Sequence, residues 1–174
     1  SGLDIFESGI LKKLDPYLPY VRTIVLHGNG EPFIKKNIVQ YLDYLTQYDI
    51  SFVTNTNLSI LNDEILKRLN NNFEEISVSC DAHYKELYES IRIGLNFEMF
   101  VKNVIRVREH CPQLHMNMAV VVMRQNLPYL DKIVGFAADL GFQEVQFNQL
   151  CVDPKCNNLK DTPILYQSEY IEAM

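Results

Sequence analysis

An apolar run, Thr23-Ile-Val-Leu26, leads straight into His27-Gly-Asn-Gly-Glu-Pro32, and this junction is the place where the chain is best equipped to bind something. Gly28 and Gly30, two apart, let a backbone turn sharply and approach a ligand closely, and Pro32 fixes the exit beside Glu31. Four further places offer chemistry of the same kind: Asn55-Thr-Asn57, Ser79-Cys-Asp81, Met123-Arg-Gln125 and Asn148-Gln-Leu150. Together with Asn29 and Glu31 they supply hydroxyl, amide, carboxylate and guanidinium groups, a set suited to a polar zwitterion that carries hydroxyls. Each of these residues taken alone is equally a turn former or a cap, so their value depends on being brought to one edge.

The elements that must position them follow from periodicity. β-branched, apolar runs at Thr23–Leu26, Ser51–Thr54, Glu75–Ser79, Met116–Met123 and Glu144–Phe147 alternate with stretches of helical spacing. Ile5–Leu14 reads as a first helix. Ile34, Ile38, Tyr41, Leu42 and Leu45 form the apolar face of a second, and Asn62 caps a third. A short segment at Tyr84–Ser90 precedes a helix capped by Asn96, and a last helix is predicted from Asn126, with Pro128 in its first turn, to Leu140-Gly141. Strands alternating with helices imply a parallel α/β sheet. All five polar clusters then lie at strand C-terminal ends, the edge where such folds do chemistry. Between a doubly wound sheet and a barrel, the repeated short units and the lack of a Gly-x-Gly-x-x-Gly fingerprint favour an arc of a (β/α) barrel.

Composition narrows the partners. The 174 residues carry 16 Lys and Arg against 22 Asp and Glu, with no basic cluster larger than a pair, which argues against a nucleic-acid surface. No apolar run is long enough for a membrane helix and no secretory signal is visible, so a cytoplasmic location is expected. Cys80, Cys111, Cys151 and Cys156 form no Cys-x-x-Cys pair and are expected to be reduced thiols, and the four histidines show no metal-ligand spacing. Residues 1–150 read as one domain and 151–174 as an extension or a linker to a further domain. Ser1-Gly2 reads as a cut or scar, so the chain is expected to be a fragment.

In order and spacing, several segments resemble the core of the radical S-adenosylmethionine (radical SAM) enzymes. His27-Gly-Asn-Gly-Glu-Pro32 is similar to that family's Gly-Gly-Glu-Pro loop, Thr54-Asn55 stands in the place of its Thr-Asn-Gly, and Ile76-Ser-Val-Ser-Cys-Asp-Ala82 is similar to its Ile-Ser-Leu-Asp-Gly strand end. Ile91-Arg-Ile-Gly94 with Asn96-Phe97, Val121-Val-Met-Arg-Gln-Asn-Leu127 and Gly141-Phe-Gln-Glu-Val-Gln-Phe147 continue the likeness as far as Leu150.

The resemblance implies a (β/α)6 TIM-like barrel, here with about five parallel strands and the first absent, that binds SAM. It places Gly28, Asn29, Gly30 and Glu31 at the methionine amino group, Ser79 and Asp81 at the ribose and methionine portion, and Arg92 at the carboxylate, with Asn55 on the same rim. It further implies a [4Fe-4S] cluster at which SAM is reductively cleaved to a 5′-deoxyadenosyl radical, an external electron donor, and a peptide, protein (as for an activase or maturase) or metabolite as hydrogen donor.

The family's Cys-x-x-x-Cys-x-x-Cys cluster loop is absent from these 174 residues. The expectation is therefore a truncated radical SAM core, inactive alone and prone to self-association along the strand edge left open. Cys151 and Cys156 are read either as surface thiols or as auxiliary-cluster ligands. The alternative to an enzyme fragment is a degenerate barrel that serves as a ligand- or protein-binding module.

Overall fold

The computed structural model describes residues 9–28 and 30–149. Asn29, the cysteines at 151 and 156 and the proposed extension lie outside them. The elements run α1 (Ile10–Leu14), β1 (Thr23–Leu26), α2 (Ile38–Leu45), β2 (Ser51–Thr56), α3 (Asp63–Asn72), β3 (Phe73–Ser79), α4 (Lys85–Ile91), α5 (Phe97–His110), β4 (His115–Val122), α6 (Leu130–Asp139) and β5 (Glu144–Gln149).

The five strands form one sheet in the order β1-β2-β3-β4-β5, and every pairing is parallel. A doubly wound sheet must reverse its strand order at a switch point, and this one never does. With the right-handed crossovers that parallel units adopt, an unreversed order puts the helices on one face and leaves the other as the inside of an arc. The five-stranded barrel arc expected from the sequence is therefore what forms.

Side-chain alternation along the strands agrees. Met116, Met118, Val120 and Val122 of β4 are buried, and the first three join Ile76 and Val78 of β3 in one core with Leu42 of α2, Leu69 of α3, Val104 and Val107 of α5 and Ile133 of α6. On the opposite face the register places Asn55 beside Ser77, Ser77 beside Asn117, and Asn117 beside Glu144. That concave row is polar, unlike the bulky aliphatic layers that fill an ordinary (β/α) barrel.

Asn62 accepts a hydrogen bond from the Ile65 amide, and Asn96 one from the Met99 amide, both at 2.8 Å, so the predicted caps of α3 and α5 form. The last helix differs from expectation. Leu127–Tyr129 form a 3-10 turn containing Pro128, and α6 begins only at Leu130. Pro128 has no amide to donate into the turn, and the Asn126 side chain is engaged elsewhere instead of capping the helix. Helix α6 stops where Gly141 takes φ 78°, which a side chain would resist. Strand β3 starts two residues before the predicted Glu75, because Phe73 pairs with Phe52 ahead of a register shift and their rings pack 5.4 Å apart.

Candidate functional site

The strand C-terminal ends bring the sequence-selected groups to one rim. After β1 the chain exposes Gly28 and Gly30. Gly30 has φ 112°, and a Cβ added to either glycine would meet nothing within 4 Å, so the loop backbone faces open space. Only glycine occupies that φ without strain, which explains the residue type at position 30.

Glu31, the next residue, does not project freely. Its Oε1 accepts from the Thr56 hydroxyl at 2.7 Å and from the Phe33 amide at 3.3 Å, and its Oε2 accepts from the Asn57 amide at 2.7 Å. The carboxylate thus bolts the glycine loop to the end of β2. The Thr54 hydroxyl adds a bond to the Leu26 carbonyl, so the ends of β1 and β2 are cross-tied. Asn55, between these two threonines, is exposed on the concave side.

A second knot holds the ends of β3 and β4. Asp81 is 3% exposed. Its Oδ1 accepts from the Val121 amide at 2.7 Å, and its Oδ2 pairs with Nη2 of Arg92 at 2.7 Å. Burial raises the Asp81 carboxyl above its ordinary 3.8, and the Arg92 charge and the Val121 N–H offset part of that rise. Asn126, fully buried, accepts from the Met123 amide at 2.8 Å and donates to the carbonyls of Asp81 and Val121 at 3.0 and 2.9 Å. Arg92 keeps a buried Nε with no partner. Ser79, half-buried and in register with Ala119, completes the rim.

Thus Gly28, Gly30, Asn55, Ser79 and Arg92 surround one edge, while Glu31 and Asp81 are committed to protein partners and Asn29 is outside the described residues. Thr56 belongs to a strand-end cluster that the sequence marks, although its bond to Glu31 is not visible there, and Asn126 did not stand out in the sequence as a member of the site. An Asn directly after a strand and its turn is the one signal that marks Asn126, and it reads as a helix start.

Lower on the concave face, Asn117 donates to Glu75 and accepts from Ser77, each at 2.7 Å, and is 5% exposed. His115 stands beside Glu75 in the register and 3.9 Å from Glu144. The concave positions of the five strands include no Lys or Arg. A cavity of about 470 Å³ is walled on one side by Gly28, Gly30 and Glu31 of the glycine loop and on the other by apolar side chains that include Ile38, Leu42 and Leu45. Its helix-side wall suits an apolar group, and its polar groups are those of the loop side.

Among the described residues no group of three His, Cys, Asp or Glu could hold a metal ion. Cys80 and Cys111 are free and buried, and burial pushes their thiols up to about 12 and about 11. Both are expected to react with a disulfide reagent at about pH 8 some 10²- to 10³-fold more slowly than an ordinary thiol, because the thiolate is the nucleophile. Peptide mapping after labelling checks this, and denaturation should restore the ordinary rate.

No family model matches the chain. In sequence it is 25% identical over 115 residues to the mycofactocin maturase MftC of Mycolicibacterium smegmatis, a match covering 66% of this chain and 29% of that protein. The chain therefore spans under a third of the length of that curated relative.

Among solved structures, native anSMEcpe with bound AdoMet and Cp18Cys peptide superposes with TM-score 0.69 at 19% identity, covering 87% of this chain and 44% of that one. Streptococcus suis SuiB bound to S-adenosylmethionine gives TM-score 0.64 at 14% identity over 86% and 35% of the two chains. A domain of pyruvate-formate lyase-activating enzyme from Bacteroides vulgatus gives 0.63 at 14% identity over 87% and 90%. The described residues carry part of the barrel of the radical SAM fold, and the chain's resemblance in sequence and structure is to the radical SAM maturases and activases.

Proposed function

We propose that this chain is the SAM-binding part of a radical SAM enzyme, with SAM seated on the rim formed by Gly28–Glu31, Asn55, Ser79 and Arg92. The observation that carries this reading is the convergence, at the C-terminal edge of a parallel arc, of an open glycine backbone with a half-buried Arg92 whose buried Nε has no partner. A buried unsatisfied donor costs about 1–3 kcal/mol, and a ligand carboxylate is the group that a planar guanidinium best receives. Backbone carbonyls of the glycine loop and Asn29 would take the ammonium group, Ser79 and Asn55 the hydroxyls, and Asp81 would serve by holding Arg92 in place.

The described residues do not fit a [4Fe-4S] cluster. Their two cysteines are buried apart on different elements and held protonated, so its three thiolates must come from other residues of the natural protein. When present with SAM, such a cluster and an external electron donor supply the 5′-deoxyadenosyl radical. The 174 residues alone are accordingly proposed to be inactive. No helix among the described residues is long and apolar enough to cross a membrane, which agrees with action in the cytoplasm.

For the substrate we propose a peptide, protein or metabolite whose hydrogen-bonding groups meet the polar concave row. SuiB has been captured with a precursor peptide and anSMEcpe with peptides, which supports the peptide class. A second reading, a binding module without radical chemistry, is favoured by one observation: Arg92 and Asp81 already neutralise each other. The discriminating experiment is anaerobic reconstitution of the full natural gene product with iron and sulfide, followed by assay for 5′-deoxyadenosine. Reductant-dependent formation is expected. A protein with no Cys-x-x-x-Cys-x-x-Cys loop and no 5′-deoxyadenosine would leave the binding module.

A further inference from the structure

Thr56 is 2% exposed at the last position of β2, where Val78 of β3 stands beside it in the register. Its hydroxyl accepts from the Leu58 amide at 2.9 Å and donates to Glu31 at 2.7 Å. A hydroxyl has a single proton, and with the Leu58 amide fixing one lone pair that proton has one defined direction, toward Glu31. The Leu58 amide reaches it because Leu58 adopts φ 53°, a left-handed conformation that a leucine avoids without a compensating contact.

Glu31 in turn collects Thr56, the Asn57 amide and the Phe33 amide on its two oxygens, which fills about three of its four lone-pair positions. Its side chain is therefore mostly used up inside the protein. What it leaves exposed is the backbone path of the loop just before it, where neither glycine has a side chain to pack and Gly30 has the freedom of φ 112°.

We propose that Thr56 is a positioning residue: through Glu31 it sets the backbone of Gly28–Glu31 against the end of β2, so that the loop carbonyls are ordered before the ammonium of the ligand arrives. This rests on the SAM reading above. The physical gain is preorganisation, since a glycine loop that must be ordered on binding loses that entropy from the affinity. Thr56 touches no ligand itself, and it is the residue that determines whether Glu31 faces β2 or swings out into the site as a free carboxylate.

The test compares Thr56→Val, which keeps shape and removes the hydroxyl, with Thr56→Ser, which keeps the hydroxyl. In the 174-residue chain without ligand, Thr56→Val is expected to speed amide exchange about tenfold at Gly30, Glu31, Phe33, Asn57 and Leu58 while the β3 and β4 amides keep their wild-type rates. Thr56→Ser should restore wild-type exchange. In the reconstituted natural protein, Thr56→Val is expected to raise the KM for SAM about tenfold with kcat within about twofold, and the Ser variant to return it. Unchanged loop exchange, loosening spread through β3 and β4, or a KM that does not follow the loop would each overturn the proposal. A wild-type protein that binds no SAM would instead overturn the reading beneath it, and it would do so whatever the exchange data show about the strut.

Discussion

Replacing Asp81 by Ala is expected to lower the folding free energy by about 3–5 kcal/mol, a large share of the roughly 5–15 kcal/mol a domain of this size holds. Three losses combine. The Val121 amide loses its acceptor, the half-buried Arg92 guanidinium is left without a counterion, and a void opens where the ends of β3 and β4 meet. Asp81→Asn fills the space and keeps one acceptor, so its loss should be smaller. Urea unfolding of the two variants measures the difference.

The same pair of proteins makes a pH test whose sign is fixed by the direction of the shift. Burial raises the Asp81 carboxyl in the folded state above its ordinary 3.8. Between 3.8 and the raised value the folded state holds a proton that the unfolded state has released, so the stability contributed by this group falls as pH rises through that window. Wild type should therefore gain stability relative to Asp81→Asn on acidification from neutral pH. Asp43, held below its ordinary value chiefly by its hydrogen bond to Arg68, has the opposite sign and loses its contribution on acidification. A gap between wild type and Asp81→Asn that narrows toward acid would show that the Arg92 charge outweighs burial.

The second large effect belongs to Asn126. Asn126→Ala strands the Met123 amide and takes a donor from the carbonyls of Asp81 and Val121, all in a fully buried place. At about 1–3 kcal/mol for each unsatisfied buried group, with partial relief by water, a loss of about 3 kcal/mol is expected. Asn126→Asp should be at least as damaging, because it keeps the acceptor for Met123 but turns a carboxylate oxygen toward two carbonyls. Equilibrium unfolding gives the magnitude, and faster amide exchange at Val121 and Met123 would localise it to the rim.

Both positions show where sequence reading stops. Strand order, helix caps at Asn62 and Asn96, and the polar ends of the strands were legible because period and cap chemistry are local. The arc was legible only as a preference, since the unreversed sheet order depends on pairings between residues twenty or more apart. Asp81 and Glu31 read as ligand-facing carboxylates at strand ends. Their partners, Val121 with Arg92 and Thr56 with Asn57, lie on other strands and turns, so nothing local marks them as struts. Asn126 read as a helix start for the same reason: its bonds run to the ends of β3 and β4, not into the helix that follows.

One rim, at the C-terminal ends of β1 to β4, is proposed to receive the methionine and ribose of SAM. Titration of the ¹⁵N-labelled 174-residue chain with SAM, followed by amide shift mapping, tests it most directly, because the method registers even weak binding without a cluster. Saturable shifts are predicted at Gly28, Gly30, Glu31, Asn55, Ser79 and Arg92, with Ile38, Leu42 and Leu45 on the helix-side wall of the cavity silent. Shifts confined to the helix-side wall at Ile38, Leu42 and Leu45, or none up to millimolar SAM, would contradict SAM binding at the rim.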